Sequence, residues 1–331
     1  MLNISEVKLD SIKNNFNGKH IAVIGDMMLD SYFWGDVKRI SPEAPVPVVE
    51  IENEFFRFGG AANVALNILK LGGIPFPIGV IGNDTDGNIF KTLLAEADIS
   101  GEGIIVDDLR PTTAKTRVIA DNQHVVRIDR ESKNEISTEI ENKFFSLLND
   151  NINKFDAIIL QDYNKGVLSK NLIKRVIDLA NQNGIIVNVD PKFDNFLEYK
   201  NVTVFKPNKK ETEDILGIRI KNDEEINVAG KKLLSNLNCK YVLLTLGELG
   251  VALFSNDDSV KRIPTKARKV ADVSGAGDTV ISTLTMALAA GADIYEAAYL
   301  ANYAGGLVCE KVGIVPIEQN ELFNTLKEKV L

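Results

Sequence analysis

Ala157-Ile158-Ile159-Leu160-Gln161-Asp162-Tyr163-Asn164-Lys165-Gly166 is an apolar run that breaks into a polar, glycine-ended loop, and its reading decides the fold. Four apolar residues bounded by turn-forming ones predict a buried strand. The same unit recurs. A helix over 172–180 stops at Asn183-Gly184, the strand Ile185–Val189 leads into Asp190-Pro191-Lys192, and the strand Val202–Phe205 leads into Lys206-Pro207-Asn208-Lys209-Lys210-Glu211. A further helix over 137–148 precedes them. Strand, polar loop and helix in regular succession predict an α/β fold: a mostly parallel sheet with helices on both faces and right-handed crossovers. Such sheets bind ligands outside the carboxyl ends of their strands. Lys165 and Lys192 are therefore candidates to meet a phosphate, and Asp190 and Glu211 are hard oxygen donors suited to Mg²⁺, directly or through water.

Upstream, His20–Ile24 predicts another buried strand, with Asp30 in the loop at its carboxyl end. Asp30 suits a substrate hydroxyl there, or an Asx-turn. The segment 34–58, punctuated by Pro42, Pro45 and Pro47, predicts an extended excursion outside the main sheet. Gly59-Gly60-Ala61-Ala62-Asn63 opens a helix that Gly72-Gly73 ends. Its glycines permit close approach by a ligand, and Asn63 both donates and accepts hydrogen bonds. A strand over 76–81 and a helix over 86–97 follow. Residues 112–130 alternate like a hairpin turning at Asp121-Asn122, with Arg117 and Arg127 either facing a ligand or solvated.

Downstream, a helix over 226–237 and a strand over 241–246 lead through Gly247-Glu248-Leu249-Gly250 into Val251–Phe254. That hairpin predicts an antiparallel edge, with Thr245 and Gly247 placed to meet nucleotide phosphates. Val273-Ser274-Gly275-Ala276-Gly277-Asp278-Thr279 then precedes an apolar helix over 280–290. Glycines before a helix let backbone N–H groups cradle an anion, and the helix dipole aims at the same point. A carboxylate in that cradle is unfavourable unless it works, for instance by taking a proton from a hydroxyl during phosphoryl transfer. The alternative is that Asp278 simply caps the helix. A second alanine-rich helix over 294–308 carries Asn302, and a terminal helix follows Gly313.

Composition narrows the function classes. The 331 residues are 45% hydrophobic, and no run of about 18 apolar residues predicts a membrane span. The N-terminal segment lacks the apolar stretch of a signal peptide, and Cys239 and Cys309 read as buried free thiols, so a cytoplasmic location is expected. A net charge of −8 leaves no footprint for nucleic acid. Two histidines, His20 and His124, poorly supply a metal cluster or a Ser-His-Asp triad. Neither a Gly-x-x-x-x-Gly-Lys-Ser/Thr loop nor a Gly-x-Gly-x-x-Gly after a strand occurs.

The paired elements Gly59-Gly60-Ala61-Ala62-Asn63 and Val273–Thr279 resemble the two signatures of the ribokinase-like (PfkB) sugar kinases. Gly25-Asp26-Met27-Met28-Leu29-Asp30, the stretch 35–49, Asp162-Tyr163-Asn164-Lys165-Gly166 and Asp190-Pro191-Lys192 further resemble the D-glycero-β-D-manno-heptose 7-phosphate kinases of that family. The resemblance covers about residues 15–315. It implies one ribokinase-like three-layer domain with a small β-lid from 35–58 and 112–130, and ATP-dependent phosphorylation of the anomeric hydroxyl of the heptose. It also implies roles: Asp278 as base, with Gly275, Ala276 and Gly277 as anion hole. Asp30, Gly59, Gly60 and Asn63 would bind sugar hydroxyls, and Arg117, Lys165 and Lys192 the substrate phosphate or nearby hydroxyls. Asn208 and Glu211 would organise Mg²⁺, Thr245 and Gly247 would flank the ATP phosphates, and Asn302 would lie near adenine. A homodimer through the lid and a K⁺ site near Val273-Ser274, where many relatives carry Thr-Thr, are further implications. Some relatives add a nucleotidyltransferase domain with a His-x-Gly-His element. Neither His20 nor His124 has that context, so the kinase alone is expected. Rival readings are a relative with another acceptor, such as a fructose phosphate or a nucleoside, and a silent sugar-binding protein.

Overall fold

The computed structural model describes residues 4–121, 123–265, 271–311 and 313–330. Helix α1 (Glu6–Phe16) precedes β1 (His20–Gly25), β2 (Met27–Ile40), β3 (Pro47–Gly60), α2 (Ala61–Lys70), β4 (Ile74–Gly82), α3 (Thr85–Glu96) and β5 (Ile104–Asp107). Then come β6 (Thr113–Ala120), β7 (Gln123–Arg130), α4 (Thr138–Asn151), β8 (Ala157–Gln161), α5 (Lys170–Gln182), β9 (Ile186–Asp190) and β10 (Val204–Phe205). The chain ends with α6 (Lys209–Leu216), α7 (Asp223–Leu237), β11 (Tyr241–Thr245), β12 (Val251–Ser255), β13 (Val260–Ile263), α8 (Ala276–Ala289), α9 (Ile294–Cys309) and α10 (Gln319–Val330).

Nine strands form the main sheet in the order β13-β12-β11-β10-β9-β8-β1-β4-β5. All pairings from β11 through β5 are parallel, and β12 and β13 supply the antiparallel edge that the 241–254 hairpin predicts. Its strands are buried on both faces, which is why they read as unbroken apolar runs rather than alternating ones. Alternation survives inside β1: Ile21 and Val23 pack with α1, α2, α8, α9 and α10, while Ala22 and Ile24 pack with α4, α5 and α7. Two separate cores on opposite faces make the three layers. Cys239 is buried and Cys309 half-buried, and both are free.

A second sheet, β3-β2-β6-β7, stands apart from the first. It is larger than the extended segments expected from sequence, because β2 begins at Met27. Asp30, expected in a loop after β1, instead lies within β2, opposite Arg57 of β3 and Lys115 of β6. A single residue, Asp26, separates the strand that belongs to one sheet from the strand that belongs to the other. Met27, Met28 and Leu29 stay buried and keep the backbone extended, so no loop forms. Asn122, the second residue of the expected hairpin turn, falls outside the described residues.

Candidate active site

The parallel strands end at one rim, and the candidate residues gather there. Asp278 lies in the first turn of α8 and is 5% exposed. It is not a cap. The N-cap is Gly275, which has φ +79° and no side-chain hydrogen bond to the helix. The Asp278 carboxylate points elsewhere: Oδ2 accepts from Asn63 Nδ2 at 2.7 Å, and Oδ1 accepts from Tyr163 OH at 2.8 Å and Gln161 Nε2 at 3.1 Å. Burial pushes its carboxyl up to about 6, against the pull of the Asn63 hydrogen bond, and the charge on Asp190 adds to the rise.

With no capping side chain, the N–H groups of Gly277 and Asp278 open α8 without carbonyls one turn back, as at any helix start. A Cβ built on Gly277 would stand 3.7 Å from both Asp190 Oδ2 and Lys206 Nζ, so an oxyanion there would face the helix N-terminus and a lysine together. Lys206 and Asp190 form a buried ion pair at 2.9 Å. Gln161 Nε2 also reaches Asp190 Oδ2, at 3.3 Å, and so links the two carboxylates.

Lys192 pairs with Glu211 Oε1. Burial alone would lower the pKa of its ammonium group, but Asp190 and Glu211 outweigh that and hold it above its ordinary value. Glu211 is fixed from its other side by a capping box: Oε2 accepts from Asn208 N at 2.9 Å, and Asn208 Oδ1 accepts from Glu211 N at 2.8 Å. Among the described residues no cluster of three or more His, Cys, Asp or Glu side chains is arranged to hold a metal ion. Asp190 and Glu211 each face a lysine instead. Three carboxylates, Asp190, Glu211 and Asp278, surround two ammonium groups, Lys192 and Lys206. That donor set fits a hydrated divalent ion arriving with a polyphosphate better than a cation caged by protein oxygens alone.

The second sheet brings Asp30 and Arg117 together as an ion pair, with the Arg117 guanidinium 5.1 Å from the centre of the Tyr32 ring. A Cβ at Gly59 would stand 2.4 Å from Asp30 Oδ2, so a larger residue there would displace the Asp30 carboxylate. Gly60 has φ +57° and lets α2, with Asn63, start against the backbone of Asp26. Lys165 turns to Glu131 at 2.8 Å and contacts none of the central carboxylates. Arg127 is exposed and pairs with Asp129 on its own strand. Thr245 lies beside Asn208 at the end of β11, and nothing stands within 4 Å of a Cβ at Gly247, which leaves room there. Asn302 donates to the carbonyl of Pro264 at 3.0 Å, away from Asp278.

Gln161, Tyr163 and Lys206 complete the cluster, and no motif marks them individually in the sequence. The signal is positional: Gln161 ends β8, Tyr163 follows it and Lys206 follows β10, all at the same rim as Asp190. Lys115 adds a half-buried cation, its Nζ 5.9 Å from the Tyr163 ring centre.

Residues 19–320 match the model of the pfkB family carbohydrate kinases. The chain belongs to that family. It is 43% identical over 314 residues to the Bifunctional protein HldE of Desulfatibacillum aliphaticivorans, covering 95% of this chain and 64% of that protein. It is 44% identical over 304 residues to the protein of the same name from Geobacter sulfurreducens, covering 92% and 62%. The chain thus spans a little under two thirds of the length of these curated relatives. Among solved structures, Arabidopsis thaliana ribokinase complexed with ribose and ATP superposes with a TM-score of 0.74 at 19% identity, over 94% of this chain and 99% of that one. Escherichia coli phosphofructokinase-2 in complex with potassium gives 0.74 at 18%, over 94% and 99%. These likenesses establish the ribokinase-like fold, and the family is one of carbohydrate kinases.

Proposed function

We propose that the protein phosphorylates the anomeric hydroxyl of D-glycero-β-D-manno-heptose 7-phosphate, giving the 1,7-bisphosphate used in building the heptose of lipopolysaccharide. The observation that carries the kinase chemistry is a buried carboxylate, Asp278, aimed away from its own helix and set beside an uncapped helix N-terminus. The heptose assignment rests on the motifs at 25–30, 35–49, 162–166 and 190–192, and on relatives about 40% identical across the matched region.

ATP would supply the phosphoryl group, and Mg²⁺ would offset its charge and polarise it. Asp190 and Glu211 would hold the hydrated ion, with Asn208 keeping Glu211 in place. In this reading Asp278 removes the proton of the acceptor hydroxyl. Gly275, Ala276 and Gly277 present the start of α8 to the charge that develops on the transferred group. Asp30, Gly59, Gly60 and Asn63 hold sugar hydroxyls. Arg117, Lys165 and Lys192 serve the substrate phosphate and its neighbours. Thr245 and Gly247 flank the nucleotide phosphates, Asn302 lies toward adenine, and K⁺ sits near Val273-Ser274.

The second sheet acts as a lid on a single kinase unit and excludes water from the reaction, which limits idle ATP hydrolysis. Its outer face also carries the dimer. Among the described residues no helix is long and apolar enough to cross a membrane, and a cytoplasmic location accords with the nucleotide and sugar phosphate the reaction needs. Asp278→Asn tests the role of the base. Loss of a general base costs about 10²–10⁴ in rate, so kcat should fall by that much while ATP and sugar still bind. Retention of more than about a tenth of the wild-type kcat would remove Asp278 from this role.

A further inference from the structure

Asp26 is buried, 1% exposed, and the chemistry above does not use it. Its carboxylate meets no lysine or arginine within ion-pair distance among the described residues. It is wrapped instead by backbone. Oδ2 accepts from the N–H of Tyr163 at 2.7 Å and of Lys165 at 3.1 Å, and Oδ1 accepts from the N–H of Val167 at 3.2 Å. Alternate N–H groups converge this way only when the backbone alternates in handedness, and Asn164 (φ +55°) and Gly166 (φ +81°) supply that alternation. The segment is an anion-binding nest whose anion is a side chain of the same protein. Asparagine tolerates the left-handed region better than other non-glycine residues, so Asn164 suits this position.

The backbone of Asp26 makes a second set of ties. Its carbonyl accepts from the N–H of Ala61, the first residue of α2, at 3.0 Å, and its N–H donates to the carbonyl of Gln161. One residue therefore anchors both segments that hold Asp278. Through the nest it fixes Tyr163, whose hydroxyl donates to Oδ1. Through Ala61 it fixes the turn of α2 that carries Asn63, the donor to Oδ2.

We propose that Asp26 is a positioning residue for phosphoryl transfer, acting through the nest and Tyr163 to set the orientation of the Asp278 carboxylate. The inference rests on Asp278 being the base. Two hydrogen bonds from opposite sides fix the plane of the carboxylate and leave its remaining lone pairs to the acceptor hydroxyl. Without Tyr163 in place, Oδ1 keeps only the longer contact from Gln161, and the carboxylate is free to turn about its last torsion. A misplacement of about 1 Å at a reacting group costs on the order of 10²-fold in rate.

The test compares kcat and KM for Asp26→Asn, Tyr163→Phe, the double variant and Asp278→Asn, each corrected for its folded fraction by circular dichroism and thermal melting. Tyr163→Phe removes one hydroxyl and leaves the nest intact, so it answers even if Asp26→Asn folds poorly. The expected result is a fall in kcat of about 10-fold for Tyr163→Phe and about 10²-fold for Asp26→Asn, with KM for ATP little changed. The double variant should be no slower than Asp26→Asn alone, because loosening the nest already removes the Tyr163 contact. Wild-type kcat in Tyr163→Phe, or losses that multiply in the double variant, would overturn the proposal. Asp278→Asn separates the two ideas: if it is inactive while the other variants are normal, the base stands and the positioning role fails. If it stays active, the base assignment itself has failed.

Discussion

At the scale of single residues, Asp278 meets opposed demands. As the proposed base it must be ionised to take a proton, yet burial raises its carboxyl to about 6. The folded protein therefore keeps the Asp278 proton at a pH where an unfolded chain has lost it. Stability from this group falls as pH rises through the window between the ordinary carboxylate value and about 6, and the base becomes competent over the same window. Activity has the opposite sign. With a saturating coupling system that is itself pH-independent, kcat/KM should fall about tenfold per unit as pH drops below about 6, and level off above about 7. Asp26, raised to about 6 chiefly by burial and the nearby Asp162 charge, adds to the same limb by loosening the nest when protonated. A flat profile down to about pH 5 would contradict the assigned environment of Asp278. A carboxylate beside two glycines at a helix start is legible in sequence as a chemical oddity. Its three hydrogen-bond partners are not, because Asn63, Gln161 and Tyr163 come together only through the packing of α2 and β8 against α8.

Among elements, the main sheet was the easier to read. Strands buried on both faces leave an unbroken apolar run, as in 157–160 and 241–244, and that signal needs no knowledge of neighbours. The second sheet was harder. Its strands are half-exposed, 47–60 carries charges throughout, and β2 continues from β1 with only Asp26 between them, so the sequence there holds no turn signal. Helix α6 is hard to read for a related reason: its eight residues, Lys209–Leu216, are mostly charged, and its capping box is legible only once Asn208 is known to be its start.

The second sheet has two unlike faces. Asp30 and Lys115 share the side that meets the site, whereas Phe33, Val118 and Val126 lie opposite one another in register and point away from it. In the adjacent row Ile128 is 56% exposed. An apolar row on an outer strand suits self-association of two copies through this face. Ile128→Glu should convert a dimer to a monomer in sedimentation equilibrium, with the circular dichroism spectrum unchanged. A wild-type chain that is monomeric at micromolar concentration would set the lid dimer aside.

Over the whole molecule, a protein of net charge −8 has to hold anionic ligands. It can do so because its positive groups are local. Lys192, Lys206 and the start of α8 converge at one rim of the sheet, interleaved with Asp190, Glu211 and Asp278. The family follows from motifs visible in sequence and from the match over residues 19–320. The acceptor depends on which hydroxyl and which phosphate the second sheet and the rim admit together. The most direct measurement is ADP release with D-glycero-β-D-manno-heptose 7-phosphate against fructose 6-phosphate and ribose, with phosphorus NMR of the product. The expected result is strong preference for the heptose and a new anomeric phosphate signal beside the retained 7-phosphate. Turnover mainly with another sugar, or a new phosphate at any other carbon, would contradict it.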